Sequence, residues 1–501
     1  MNDYSFGNFL RELRERRGLS QYQLGSLVGV SNKAVSKWEN GSSKPKSRLL
    51  FRLSEVLCVS VDELLTCRNR PAEIERKGIF AMKHKKELWE NVRTTLFERY
   101  GEHPPLPFLS RLESEAAELE HTDHIVWYAL IAALIQKVRA AGHFVHLRDG
   151  TNSLLTAFLL GATEINPLPP HYYCPFCKRT ELVPDAADGW DLPPKTCLCG
   201  KEYSRDGHAI PLASHRSLFH REPAILLGTE SGYYDTVMQH LCDLLADVPY
   251  LILERPPVDE NDRTARYLVI LPPELAAQAG TVLPFEKNRL KYLPYYPHIH
   301  VWHSETMERY HALEQATGTS FDRVPFLDGD VLPQFTAGNT EGVGAFGFVF
   351  LQMLLKKTPP QNHHELIRFL GLVNCSSTLF ADERIVLPEF PSSRDDIYNL
   401  ISTRLLRHGI DDPGFAYRVM ENTRKGVYTK QGMDDADRQY LTEIGVTEEM
   451  IGWFKTIKFL TNKSISVLDL KYSLILMWYK LRFPEEFGQI YLKPPHIRSY
   501  P

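Results

Sequence analysis

The sequence predicts a multidomain protein: an all-α bundle, then an α+β body that carries a cysteine-rich insertion. Three observations predict it. Apolar residues recur at helical spacing through the first seventy positions, punctuated by glycines. Short strand-like apolar runs at 250–253 and 267–271 later give way to a helical last third from about Gly344 onwards. Between 172 and 203, Cys174/Cys177 and Cys197/Cys199 pair closely, whereas Cys58, Cys67, Cys242 and Cys375 are scattered.

At 501 residues, 43% hydrophobic and 24% charged, the chain has ordinary globular composition and is long enough for two to four domains. No run of 18 apolar residues and no basic-then-apolar start occur, so neither a membrane span nor a signal peptide is expected. Cysteine usage fits a reducing compartment with one metal site, and the cytoplasm is the expected address. The net charge of −4 hides an asymmetry: residues 1–70 hold twelve Lys/Arg against seven Asp/Glu, and the rest of the chain is acidic. A basic head on an acidic body points to an anionic partner, nucleic acid first.

Phe6, Phe9, Leu10 and Leu13 define a first helix closed by Gly18. Ser20 caps a second helix that carries Leu24, Leu27 and Val28 inward, and Gly29 supplies a tight turn. Ser31 then caps a third helix from Asn32 to Glu39, ending at Asn40-Gly41. Leu49 to Leu57 forms a fourth and residues 61–65 a short fifth. The ordered string Gly18-Leu19-Ser20-Gln21, Leu24, Gly29-Val30-Ser31 and Val35-Ser36-Lys37-Trp38-Glu39-Asn40-Gly41 closely resembles the Cro/repressor-type helix-turn-helix family. The resemblance implies double-stranded DNA as partner and a homodimer on paired half-sites, with the start of the third helix in the major groove. Asn32, Lys33, Ser36 and Lys37 would then face base edges, with Ser31 at the helix start and Gln21 on a phosphate, while Val30, Val35 and Trp38 read as core. The alternative is a bundle of the same fold that binds protein.

Residues 69–88 read as a charged linker, and helices follow at 88–100 and, as one long amphipathic run, at 112–141. The stretch Ala162-Thr163-Glu164-Ile165-Asn166-Pro167-Leu168-Pro169-Pro170-His171-Tyr172-Tyr173-Cys174-Pro175-Phe176-Cys177 closely resembles the PolC-type DNA polymerase III catalytic subunit of many Gram-positive bacteria. Arg111-Leu112-Glu113, Gly189-Trp190-Asp191-Leu192-Pro193, Asp206-Gly207-His208-Ala209-Ile210-Pro211, Ser393-Arg394-Asp395-Asp396-Ile397 and Arg424-Lys425-Gly426 recur in family order. The resemblance covers roughly residues 90–490. It implies a palm and thumb region over 89–340, containing the cysteine element, and helical fingers over 341–501.

The same resemblance locates the catalytic carboxylates, which two-metal nucleotidyl transfer requires to hold its cations. Ala224 and Leu226 stand at two aspartate positions one residue apart on a strand, and His300 falls on a third. No catalytic magnesium is therefore expected. In the family's phosphate-cradling loop, here His146 to Ser153, only Arg148 and a few small residues remain; Arg424, Lys425 and Lys463 persist in the fingers. These four are candidate nucleic-acid or nucleotide contacts, or equally solvated surface. Asp328/Asp330 and Asp435/Asp437 have paired-carboxylate spacing, but read as a surface loop and a solvated helix.

Cys174, Cys177, Cys197 and Cys199 match a structural zinc ribbon, although the second pair encloses one residue where the family has two. His208 is a conceivable substitute ligand, and a metal-free thiol cluster is the alternative. Together these readings predict a sequence-specific DNA-binding protein, a transcriptional regulator, with a polymerase-like module that serves for binding and makes no DNA. A divergent polymerase or nucleotidyltransferase, and a decoy that engages replication proteins, are the competing readings.

Overall fold

The computed structural model describes residues 6–16, 19–45, 47–57, 82–120, 122–219, 222–245, 250–255, 265–270, 297–373 and 390–492. The chain divides into two compact units, Met1–Ala81 and Met82–Pro501. The expected fifth helix at 61–65, the linker up to residue 81, and Cys58, Cys67 and Cys375 lie outside the described residues.

In the first unit, α1 (Phe6–Arg16), α2 (Gln21–Val28), α3 (Asn32–Glu39) and α4 (Ser47–Leu57) enclose a core of Phe9, Leu10, Leu13, Leu24, Val28, Val35, Trp38, Leu53 and Leu57. Ser20 starts α2 with a reciprocal cap: its hydroxyl accepts the Gln23 N–H at 3.1 Å, and the Gln23 side chain accepts the Ser20 N–H at 2.8 Å. Gly29, at φ +78°, ends α2 in the left-handed region, a turn that glycine makes without strain. Ser31 occupies the cap position of α3, but its hydroxyl makes no capping bond. Leu27, expected inside, is 57% exposed. An eight-residue helix buries one narrow stripe, here Leu24, Gly25 and Val28, and Leu27 falls beside it.

The second unit begins with α5 (Met82–Tyr100), which starts within the stretch expected to be linker. The run expected as one helix over 112–141 is two, α6 (Leu106–Leu119) and α7 (His124–Ala140). Thr122 interrupts it: its N–H and hydroxyl both donate to the Leu119 carbonyl, a local alternative to the helical ladder. After β1 (Val145–Leu147) and α8 (Leu155–Leu160), a three-stranded antiparallel sheet places β2 (His171–Tyr173) between β3 (Thr180–Leu182) and β4 (Ser204–Asp206).

A five-stranded sheet follows, built from β1, β5 (Ala224–Thr229), β6 (Tyr250–Arg255), β7 (Ala265–Ile270) and β8 (His298–His303) in the order β1-β5-β8-β7-β6. β5 and β8 run parallel and the other neighbours antiparallel. Ile225, Leu227, Ile299 and Val301 are buried on one face. Between β5 and β6 lies α9 (Tyr234–Leu244), and after β8 comes α10 (Glu305–Thr317).

The remainder is helical: α11 (Leu332–Thr336), α12 (Val349–Lys357), α13 (His363–Val373), α14 (Arg394–Arg407), α15 (Pro413–Arg424), α16 (Val427–Gln431), α17 (Asp435–Glu443), α18 (Glu448–Thr456), α19 (Lys463–Arg482) and α20 (Pro484–Phe487). One core joins Phe144, Ile165 and Trp190 to Phe346, Leu366, Val467 and Tyr479, so packing continues across residue 340, where the resemblance placed a boundary. A separate core fills the helices from Leu372 to Leu460. No helix among the described residues is long and apolar enough to cross a membrane.

Candidate nucleic-acid interface and metal centre

The start of α3 is polar and open. Ser31, Asn32, Lys33 and Lys37 are exposed and Ser36 is half-buried, while Val35 and Trp38 turn inward and Val30 packs partly buried against the core. The helix is held by Glu39, a buried carboxylate that accepts Arg14 Nε at 2.5 Å and Gln21 Nε2 at 2.8 Å. Burial pushes the Glu39 pKa up, but the bonds from Arg14 and Gln21 pull it lower still, so the group remains charged. The Gln21 amide, expected to reach a phosphate, is thereby engaged inside the domain.

In the second unit, Ala224 lies opposite His298 and Leu226 opposite His300 in the parallel β5–β8 ladder. Paired residues and their i+2 neighbours share a sheet face, so Ala224, Leu226 and His300 come together on one side. That side carries apolar and aromatic groups: His300 stacks on Tyr267 at 4.3 Å, and His146 lies 5.6 Å from Trp302 and 6.1 Å from Tyr472, between ring centroids. A Cβ at Gly228 would come 2.3 Å from the His146 ring.

Two carboxylates of this region are engaged. Asp149 accepts the Leu226 N–H at 2.8 Å and the Thr151 N–H at 2.7 Å. Asp469 holds Arg148 through two bonds of 2.5 and 2.9 Å. In the loop that cradles phosphates in the family, Asn152 donates to the Leu147 carbonyl and Ser153 pairs with Ser464, so these side chains knit the loop to the protein.

The other retained cations are similarly engaged. Lys463, a candidate for nucleic-acid contact, is buried, and its ammonium donates to the His208 carbonyl at 2.6 Å. Arg424 and Lys425 share Glu421, at 2.7 and 2.8 Å, and the two bases drag that carboxylate, against its burial, down to about 2. Arg482 reaches both Asp328 and Asp330, which sit in a turn as expected. Asp437, expected on a solvated face, is instead buried, where it accepts the Tyr428 hydroxyl at 2.9 Å and pairs with Arg418. A helix-start carboxylate can turn inward when such donors meet it, which periodicity does not reveal.

The four clustered cysteines converge: Sγ atoms of Cys174 and Cys199 lie 3.5 Å apart, those of Cys177 and Cys197 3.4 Å, and all four within 4.8 Å of one another. A tetrahedron with metal–sulfur bonds of ~2.3 Å has edges of ~3.8 Å, so the set fits such an ion. Each pair sits on a tight turn. Cys174 O accepts the Lys178 N–H and Cys197 O the Gly200 N–H, and Lys178 and Gly200 both adopt positive φ. The Cys199 backbone N–H lowers the Cys197 thiol and the Cys177 N–H the Cys174 thiol, while bonding to the neighbouring sulfurs pushes Cys177 up. His208 is no substitute ligand. Its Nδ1 meets the buried Asp188 at 2.9 Å and its ring abuts Trp190.

A helix-turn-helix family profile matches residues 10–64. The body is similar to proteins named DNA polymerase III PolC-type. The one from Thermotoga maritima is 26% identical over 470 residues, covering 79% of this chain and 34% of the relative; that from Clostridium perfringens is 25% identical, covering 78% and 32%. A helix-turn-helix head precedes a PolC-like body. The chain spans about a third of the length of these relatives.

Several segments that carry the PolC likeness serve the fold directly. Arg111 ties Glu115 to the Ile210 and Ser153 carbonyls, and Glu115 caps α8 through the Leu155 and Thr156 amides. Asp395 gathers Ser214, His215 and the Lys463 amide. Sequence reading missed one further group, His143, Glu230 and His311, whose members lie more than eighty residues apart and give no local signal.

Proposed function

We propose that the chain is a sequence-specific DNA-binding protein, a transcriptional regulator, whose PolC-like body binds or positions partners and does not polymerise DNA. The observation that carries this reading is the open polar start of α3, with Asn32, Lys33 and Lys37 exposed on an internally braced helix. Lysine and asparagine there pair with guanine and adenine edges, and the ammonium charge draws the duplex phosphates. In the body, alanine, leucine and histidine at 224, 226 and 300 offer no carboxylate to a magnesium ion, and Arg148 already spends its charge on Asp469. The cysteine cluster would hold a structural zinc: four thiolates leave no open coordination position. Dimerisation on paired half-sites and contact with replication proteins belong to this reading.

Selection of bound sites from random and genomic DNA tests it. The intact chain is expected to enrich a defined motif, and Lys33→Ala with Lys37→Ala to abolish enrichment and flatten the salt dependence of binding. Absence of any motif, or an unchanged motif in the double variant, overturns the reading. The similarity to polymerases over most of the body favours a second reading, a divergent nucleotidyltransferase, which predicts metal-dependent incorporation.

A further inference from the structure

At the far end of β5 from Ala224, three side chains from separate elements meet. His143 follows the turn after α7, Glu230 directly follows β5, and His311 lies on α10. Glu230 is buried, and the Phe144 N–H anchors its Oε1 at 2.7 Å. Its other neighbours are imidazole nitrogens: His143 Nδ1 lies 3.3 Å from Oε2 and His311 Nδ1 3.7 Å from Oε1. The second distance is too long for a hydrogen bond, and His311 Nδ1 is buried with no hydrogen-bond partner among the described residues. The two imidazoles lie parallel, centroids 5.0 Å apart, and Tyr233 stacks on the outer side of His143 at 3.7 Å. One potential donor atom from each of the three lies within 4.8 Å of the others.

We propose that His143, Glu230 and His311 form a three-ligand site for a divalent transition metal of the zinc class, separate from the cysteine cluster. Donor atoms around a tetrahedral zinc, at ~2.0–2.1 Å from the ion, stand ~3.3 Å apart, so one atom from each residue, now all within 4.8 Å, would draw together and one of the parallel imidazoles would turn to aim its nitrogen at the ion. Imidazole selects this class over magnesium or calcium. A dipositive ion also compensates a buried carboxylate whose ion-pair partners, among the described residues, are two histidines. Both histidine side chains stay about a quarter exposed, leaving an entry path and a fourth position for water. The site would pin the α7–β1 turn and the end of β5 to α10. It does not depend on the DNA-binding reading.

The test uses the full chain, stripped by a chelator under reducing conditions and titrated with Co2+. Absorbance separates thiolate-bound cobalt, with intense charge-transfer bands, from cobalt on nitrogen and oxygen, with weak d–d bands alone. The expected result is two equivalents, one of each kind, with the second raising the melting temperature. His311→Ala and Glu230→Gln should each weaken the non-thiolate equivalent ~100-fold and leave the thiolate bands intact. His143→Gln, on an accessible turn, supplies the same readout if those variants fold poorly. A wild-type chain that binds only the thiolate-type ion, or variants that retain the second equivalent at full affinity, overturns the proposal.

Discussion

His146 sits beside Trp302 and Tyr472, 5% exposed, with neither ring nitrogen hydrogen-bonded among the described residues. Burial, helped by Arg148 and Arg139, pushes its pKa down to about 3. An unfolded chain binds that proton near pH 6.5 and the native protein does not, so stability is whole above pH 6.5 and drains as pH falls towards 3. At pH 5 the loss from this group is about 2 kcal/mol. His146→Phe, which keeps an aromatic ring between the same neighbours, should therefore shrink the fall in unfolding free energy of the body between pH 7.5 and 5 by that amount. An identical pH slope in denaturant melts of both proteins would rule the explanation out. A single histidine between Val145 and Leu147 gave no sign that its ring would be buried without a hydrogen bond. By contrast Val35 and Trp38, which helical spacing already directs inward, are buried as expected. Charged residues were the hardest to read: Lys463 and Asp437 turn inward because acceptors and donors from distant segments await them, which no local pattern encodes.

At the scale of elements, the cysteine knuckles are the clearest case of legibility. Spacing picked out four cysteines that the structure brings within 4.8 Å of one another on two tight turns. The element's own core is small, with Tyr172, Leu192 and Tyr203 as its large apolar members beside Cys174 and Cys197. So few apolar residues cannot hold a fold without a staple. Removing zinc by chelation under reducing conditions should open the 174–203 segment to protease while the body's helices persist. Limited proteolysis read by mass spectrometry checks this, and equal protection with and without chelator would show that the element stands on packing alone. Helix boundaries were read less well, because the break between α6 and α7 rests on Thr122 bonding back to Leu119 within an otherwise periodic run.

For the whole molecule, the order of an α-helical head, mixed sheet and helical C-terminal part was written in the periodicities. The strand pairing was not, since β5 and β8 are parallel neighbours separated by some seventy residues that include two other strands of the same sheet. That pairing is what assembles Ala224, Leu226 and His300 on one face. The face meets aromatic rings, Asp149 binds the Leu226 amide and Asp469 binds Arg148, and Glu115 from a PolC-like segment braces the Leu155 amide. We propose that the likeness divides here, with the scaffold kept and the cation-holding chemistry lost.

Primer extension addresses that separation most directly. The intact chain, given a primed template, all four deoxynucleoside triphosphates and Mg2+ or Mn2+, should extend no primer above a protein-free control. Templated extension that Asp149→Asn or Asp328→Asn abolishes would contradict the account.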